Sequence, residues 1–166
     1  MEILLNPVEP RVERLAAALL ARKAMLATAE SCTGGMIAAA CTGLAGSSGW
    51  FERGFVTYSN AAKIDMLGVP AVLIEAHGAV SAEVAAALAE GALARSPADV
   101  AIAVTGIAGP GGATPGKPVG TVWLALCERG SPAVPTLLQA SGTRAAIRAQ
   151  AVARAFDLLL ARMESA

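Results

Sequence analysis

Ser31 and Lys63 are the two side chains whose types and positions best suit nucleophilic catalysis. Ser31 follows a short apolar run and precedes Gly34-Gly35, so its hydroxyl is predicted to lie at a sharp turn between a strand and a helix. Such strand ends form the ligand crevice of open α/β sheets, and free N–H groups at a helix start stabilise an oxyanion or a phosphate. The alternative is a helix N-cap, a role that Thr33 would fill equally well.

A serine nucleophile needs a base, and Lys63 is the best candidate. It is predicted to lie near the first turn of a helix capped by Ser59 or Asn60, where the helix dipole disfavours positive charge. Burial would lower its pKa and leave a neutral amine, whereas pairing with Glu30 would keep the amine protonated. Tyr58, at the end of the preceding strand, is predicted to relay a proton or to orient this base. The alternatives, a solvated lysine and a strand-end aromatic ring, stay open.

Other side chains suggest rival sites with weaker support. His77 is the only histidine and is predicted to lie in a loop as a surface or capping residue, which argues against a Ser-His-Asp triad. Cys32 is a rival nucleophile, but no histidine is near it in the sequence and a buried apolar role is favoured. Arg144 and Arg148 are one turn apart on a predicted helix, a spacing that suits binding of a phosphate. Two solvated arginines are the alternative.

Composition excludes several classes of function. The 13 basic and 13 acidic residues balance, which argues against a nucleic-acid partner bound through a basic surface. No apolar run reaches the roughly 18 residues of a membrane span, and the N-terminus has no signal-peptide pattern. The three cysteines have no metal-type spacing, so we expect no metal and a cytoplasmic location. Residues 111–117 fit the pattern GxxxxGK, but Pro118 replaces the Ser or Thr of a nucleoside-triphosphate loop.

Hydrophobic patterning predicts the elements that must bring these side chains together. Strands are predicted over residues 24–29, 51–58, 99–104, 119–126 and 133–138, and helices over residues 10–23, 36–41, 61–67, 81–95 and 143–163. This order predicts one α/β domain over residues 1–166, a three-layer α/β/α sandwich with a mostly parallel mixed sheet of about five strands. Polar segments follow three of the strands, so a site is expected where those strands end.

Five segments together resemble the CinA C-terminal domain family, which includes the bacterial nicotinamide-nucleotide amidases. They are 29–35 (AESCTGG), 57–60 (TYSN) with Lys63, 78–81 (GAVS), 105–112 (TGIAGPGG) and 117–122 (KPVGTV). The resemblance extends over nearly the whole chain, in the same order and spacing. It implies an amidohydrolase that converts nicotinamide mononucleotide and water to nicotinate mononucleotide and ammonia, a step of pyridine nucleotide recycling. It further implies a small-molecule nucleotide as the partner, no cofactor, no metal, and a homo-oligomer, with a dimer as the first expectation.

The resemblance also implies roles for individual residues. Ser31 is the implied nucleophile, Lys63 the base and Tyr58 its partner. The implied substrate-binding residues are Thr33, Gly34, Gly35, Thr105, Gly106 and Arg144, of which Arg144 binds the nucleotide end. Thr143 stands where the family often has an aspartate, which bears on how Arg144 is positioned.

Two other functions stay open at this point. One is a non-catalytic nucleotide-binding module of the same fold, and the other is an amidase for a different carboxamide. Many relatives also carry an N-terminal pyrophosphatase-like domain. This sequence does not include one, so we expect no pyrophosphatase activity from it.

Overall fold

Five strands form a single sheet in the computed structural model, which describes residues 8–165 of the chain. They are β1 (Leu26–Glu30), β2 (Phe51–Val56), β3 (Val100–Gly106), β4 (Thr121–Glu128) and β5 (Val134–Gln139), in the spatial order β2-β1-β3-β4-β5. The β1 strand pairs in parallel with both β2 and β3, and β4 pairs antiparallel with both β3 and β5. Only β4 therefore runs against the rest, which confirms the predicted mixed and mostly parallel sheet.

Helices cover both faces of this sheet, which confirms the predicted three-layer sandwich. Those within the described residues are α1 (Glu9–Arg22), α2 (Met36–Gly43), α3 (Asn60–Leu67), α4 (Ala71–His77), α5 (Ala82–Ala94) and α6 (Arg144–Glu164). The α1, α2 and α6 helices share one core with the sheet, and α5 forms a second core on the other face with the end of α3. In residues 8–165, no helix is long and apolar enough to cross a lipid bilayer.

The short helix α4 corrects the prediction of a loop around His77. It begins directly after Pro70, continues for seven residues, and has His77 as its last residue. None of its residues is buried and no side chain caps its start. Only Leu73 and Ile74 pack against the core, and both are partly buried. A seven-residue helix with so narrow an apolar face leaves little periodicity in the sequence, so hydrophobic patterning does not detect it.

The two faces of the sheet carry side chains of different size, because successive residues of a strand point to opposite sides. The face under α5 is lined mainly by alanines from three strands, Ala27, Ala29, Ala101, Ala103 and Ala125. The face under α1, α2 and α6 carries larger side chains, including Leu26, Val100, Ile102, Val104 and Leu124. Small side chains let α5 lie close to the sheet, and its own buried residues include Ala85, Ala89 and Ala92.

Close packing of α5 against α3 makes Gly91 a test of this arrangement. A Cβ atom at Gly91 would lie 2.2 Å from the carbonyl oxygen of Leu67, whereas one at Gly43 in α2 would meet nothing within 4 Å. We expect Gly91→Ala to lower the free energy of unfolding by about 1–3 kcal/mol, because the backbones must separate. Gly43→Ala, the matched control, should leave it unchanged or raise it by less than about 1 kcal/mol. Urea denaturation measures both, and equal stabilities of the two variants would contradict the predicted contact.

Candidate active site

A glycine-rich turn places Ser31 at the carboxyl end of β1. The Ser31 carbonyl accepts a hydrogen bond from the Gly34 N–H at 3.0 Å. Gly34 and Gly35 have φ values of +60° and +97°, in the left-handed region that glycine tolerates best. Because α2 begins only at Met36, with Gly35 at its N-cap position and no side-chain cap, the alternative of Ser31 or Thr33 as an N-cap is wrong.

Glu30 is buried next to Ser31, and its carboxylate binds the start of α2. It accepts hydrogen bonds from Thr33 Oγ1 at 2.7 Å and from the backbone N–H groups of Ile37 at 2.9 Å and Ala38 at 3.0 Å. These donors and the positive end of the helix dipole stabilise a negative charge. Among the described side chains and the N–H groups of α2, the donors to Glu30 all lie in residues 33–38. The Glu30 carboxylate is therefore bound to this segment and is not the partner of Lys63.

Lys63 lies in the first turn of α3, and its amine is buried beside the hydroxyl of Ser31. Ser59 caps this helix by accepting a hydrogen bond from the Ala62 N–H at 3.0 Å. The side chain is 1% exposed, and Nζ lies 3.2 Å from Ser31 Oγ. Nζ also donates to the carbonyl oxygens of Thr57 at 3.0 Å and Tyr58 at 3.2 Å.

Burial favours the neutral form of the Lys63 amine. It lowers the pKa of Lys63, while the neighbouring Cys32 has a smaller opposite effect. In the neutral form, Nζ gives its two N–H groups to the carbonyls of Thr57 and Tyr58, which can only accept. The lone pair is then left for the proton of Ser31.

Tyr58 contacts Lys63 through its backbone and not through its ring. The phenol side is largely solvent-exposed, and its hydroxyl accepts a hydrogen bond from Arg144 Nη2 at 3.2 Å. Arg144 also donates through Nη1 to the carbonyl of Gly109 at 2.9 Å. The Tyr58 carbonyl therefore makes the contact with Nζ, and the role of Tyr58 as the partner of the base stays a prediction.

Arg144 and Arg148, both in α6, bind different partners. Arg148 donates to the carbonyls of Cys32 at 3.0 Å and Thr33 at 3.1 Å, in the turn that follows Ser31. Arg144 is the one that reaches the cleft. The α6 helix begins after Thr143, whose hydroxyl accepts from the Ala146 N–H at 3.2 Å. A threonine in place of the family's aspartate thus still caps the helix that carries Arg144.

The side chains meet in a cleft of about 200 Å³. Seven residues singled out from the sequence line it, namely Ser31, Cys32, Lys63, Tyr58, Thr105, Gly106 and Arg144. The predicted binding residues Thr33, Gly34 and Gly35 do not line it, because the turn directs them toward α2 and Arg148. The sequence analysis missed four lining residues, Asn60, Ala79, Val80 and Ala108. Segments 57–60, 78–81 and 105–112 contain all four and were the available signal.

The segment 78–81 is held in place from two sides. Thr105 is buried and donates its hydroxyl proton to the carbonyl of Ala79 at 2.9 Å. Ser81 caps α5 by accepting from the Val84 N–H at 3.3 Å. These bonds fix one wall of the cleft against the end of β3.

The charges of the cleft favour an anionic ligand. Among the described residues that line it, none is acidic, whereas Arg144 carries a positive charge. Residues 8–165 also contain no group of three or more His, Cys, Asp or Glu side chains arranged to hold a metal ion. A larger groove of about 490 Å³ lies between β4, β5 and α6, and none of the candidate site residues lines it.

Comparison with known proteins identifies the family. Residues 8–163 match the model of the CinA C-terminal domain. The chain belongs to the CinA C-terminal domain family. It is 51% identical over 156 residues to the nicotinamide-nucleotide amidohydrolase PncC of Pseudomonas putida, which covers 94% of this chain and 97% of that protein. In the crystal structure of the competence/damage inducible protein CihA from Agrobacterium tumefaciens, the same fold is found with a TM-score of 0.90 and 46% identity, over 93% of this chain and 94% of that one.

Some relatives in the CinA C-terminal domain family are much longer than this chain. A CinA-like protein of Citrifermentans bemidjiense is 62% identical over 119 residues, which are 72% of this chain but 29% of that protein. The chain therefore corresponds to under a third of such relatives and to nearly the whole of others.

The pKa of Lys63 can be measured directly in the folded protein. We expect the ¹³Cε resonance of Lys63 to titrate below the ordinary lysine value of 10.5, because burial penalises its charged form. NMR titration of protein labelled with ¹³C-lysine measures this value. The spectrum of Lys63→Met, which lacks the resonance, assigns it. A titration midpoint at or above 10.5 would show that the amine is charged in the cleft.

Proposed function

We propose that the protein is an amidohydrolase that converts nicotinamide mononucleotide and water to nicotinate mononucleotide and ammonia. Ser31 is the nucleophile and Lys63 is the general base. The observation that carries this proposal is the 3.2 Å contact between Nζ of Lys63 and Oγ of Ser31, made by a buried amine whose two other contacts are carbonyl oxygens. The name of the P. putida relative, which is 51% identical over nearly its whole length, supports the choice of substrate.

Acylation begins when Ser31 Oγ attacks the carboxamide carbon and its proton passes to Nζ of Lys63. The resulting ammonium keeps the Thr57 and Tyr58 carbonyls as acceptors, which stabilise the charge that it gains. The carboxamide oxygen becomes an oxyanion. The N–H group of Cys32, which lines the cleft, has no hydrogen-bond acceptor within the described part of the chain, so it is free to bind this oxyanion.

Acylation ends when Lys63 returns its proton to the leaving nitrogen and the C–N bond breaks. Ammonia departs and an ester remains on Ser31. Deacylation then uses the same base a second time. A water molecule then attacks the ester carbonyl and gives a proton to Nζ, and that proton returns to Ser31 Oγ as nicotinate mononucleotide leaves. Over the full cycle the enzyme neither gains nor loses a proton, so Lys63 is neutral again when the next substrate binds.

Arg144 supplies a binding site for the phosphate of the nucleotide. Its guanidinium is oriented by the carbonyl of Gly109 and the hydroxyl of Tyr58 before any ligand binds. An arginine that is already ordered loses little conformational entropy when it binds an anion. The absence of carboxylates from the described lining of the cleft removes a source of repulsion for the phosphate.

The cellular setting follows from the reaction and stays a prediction. A step that turns a nicotinamide nucleotide into a nicotinate nucleotide belongs to pyridine nucleotide recycling. We expect this chemistry in the cytoplasm, where the three buried cysteines stay reduced. A homo-oligomer, with a dimer as the first expectation, completes the proposal.

Two substitutions test the pair of catalytic residues. Ser31→Ala and Lys63→Arg should each lower kcat for ammonia release from nicotinamide mononucleotide by roughly 10⁴-fold or more, because the nucleophile is lost or the base cannot be deprotonated. Coupled assays for ammonia and chromatography of nicotinate mononucleotide measure turnover. Ser48→Ala, at an exposed serine, is the control and should match the unsubstituted protein. Full turnover by the Lys63 variant would exclude the pair.

Substitution of Arg144 tests the site for the phosphate. Arg144→Met should lower kcat/KM for nicotinamide mononucleotide by about 10- to 100-fold, as expected for the loss of a hydrogen bond to a charged group. The value for the non-phosphorylated nicotinamide riboside should change by less than about threefold. Steady-state kinetics on both substrates measures this difference. Equal losses on the two would show that Arg144 does not bind the phosphate.

A further inference from the structure

We propose that Arg148 is a positioning residue for the reaction, because it holds the backbone turn after Ser31 so that the N–H group of Cys32, which lines the cleft, is fixed for the reacting carbonyl. Arg148 lies in α6 and does not line the cleft, so it acts only through this turn. The proposal rests on the proposed function of Ser31 as a nucleophile.

The guanidinium of Arg148 binds the carbonyl oxygens of two successive peptide units. Nε donates to the carbonyl of Cys32 at 3.0 Å and Nη2 donates to the carbonyl of Thr33 at 3.1 Å. The guanidinium is planar and its donors are fixed relative to one another, so the two bonds constrain both peptide planes together. The turn also packs tightly on this group, since a Cβ atom at Gly34 would lie 3.5 Å from Nη2.

The carbonyls of Ser31, Cys32 and Thr33 all accept hydrogen bonds, whereas the N–H group of Cys32 has no acceptor within residues 8–165. The Ser31 carbonyl accepts from Gly34, and the Thr33 carbonyl also accepts from Met36 at 3.2 Å. Cys32 is buried and lines the cleft. Backbone N–H groups without acceptors are rare at buried residues, and an oxyanion would satisfy this one.

The planar peptide bond links Arg148 to this donor. Arg148 holds the carbonyl of the peptide unit that joins Cys32 to Thr33. Losing Arg148 would allow this unit to rotate, which would move Cys32 and misdirect its N–H group.

The same observations argue against Arg148 as a second phosphate ligand. Both of its described hydrogen bonds are made to backbone carbonyls, and its neighbour Arg144 is the arginine that lines the cleft. A positioning role predicts a loss in kcat, whereas binding of the phosphate predicts a rise in KM. The two roles are therefore separable by kinetics.

Four substitutions on α6 test the proposal. Arg148→Met should lower kcat for nicotinamide mononucleotide by about 100-fold and change KM by less than about threefold, because a misplaced oxyanion donor costs a rate factor of this size. Arg148→Lys should lower kcat by roughly 10-fold, since an ammonium cannot bind both carbonyls with the same fixed geometry. Arg154→Met removes a half-buried arginine of the same helix and should match the unsubstituted protein. Methylguanidinium added to Arg148→Ala should restore part of the lost kcat.

A second readout does not depend on the identity of the substrate. A fluorophosphonate probe labels an activated serine, because Oγ displaces fluoride from phosphorus as the phosphoryl oxygen occupies the oxyanion position. Intact-mass spectrometry of the time course should give labelling of Ser31 about 100-fold slower in Arg148→Met and unchanged in Arg154→Met. Circular dichroism confirms that each variant is folded. If Arg148→Met does not fold, the lysine variant and its labelling rate decide the question.

The possible results separate the two proposals. An Arg148 variant with raised KM, unchanged kcat and unchanged labelling would overturn the positioning role and indicate binding of the phosphate. Labelling that depends on Arg148 in a protein that releases no ammonia from nicotinamide mononucleotide would support the positioning role and reject the proposed substrate. No labelling of Ser31 in the unsubstituted protein would overturn both, because the turn would then serve no nucleophile.

Discussion

Burial of the Lys63 amine is the constraint on which the rest of the site depends. A charged ammonium that loses contact with water is costly, and the cost is avoided when the amine is neutral or fully hydrogen-bonded. The protein provides two carbonyl oxygens and one hydroxyl for it. The carbonyls of Thr57 and Tyr58 are available because β2 ends at Val56, before the chain turns into α3. The end of an edge strand therefore creates the environment of the base.

The second requirement of the site is that the buried carboxylate of Glu30 does not pair with Lys63. A buried carboxylate within reach of Lys63 would hold the amine in its charged form. Three donors at and just before the start of α2 bind this carboxylate instead, including the hydroxyl of Thr33. Thr33 thus takes part in the site indirectly, by stabilising a negative charge away from the base.

Hydrophobic patterning predicts most of the fold but less of the site. The five strands lie within a few residues of their predicted positions. The central strands β1 and β3 are buried nearly throughout, and such strands leave continuous apolar runs. The exposed helix α4 leaves no such pattern. In the site, the pairing of Ser31 with Lys63 was foreseen from strand ends that meet at one edge of the sheet. Which part of Tyr58 contacts Lys63 was not, because a backbone carbonyl leaves no mark in the residue type. Arg144 and Arg148 are alike in sequence, and only the loops packed around α6 distinguish them.

The pairing of the first and last helices has a consequence for how substitutions act at a distance. The α1 helix packs along α6, and Arg14 pairs with Glu164 while Arg11 pairs with Asp157. The first and last helices of the domain are thus joined. Near its start, α6 carries Arg148, which binds the turn after Ser31. Surface ion pairs of this kind add little stability one by one, so the apolar contacts between the helices set how firmly α6 is seated. Substitutions in α1 that change these contacts would then alter kcat without altering KM, although α1 is far from any substrate atom.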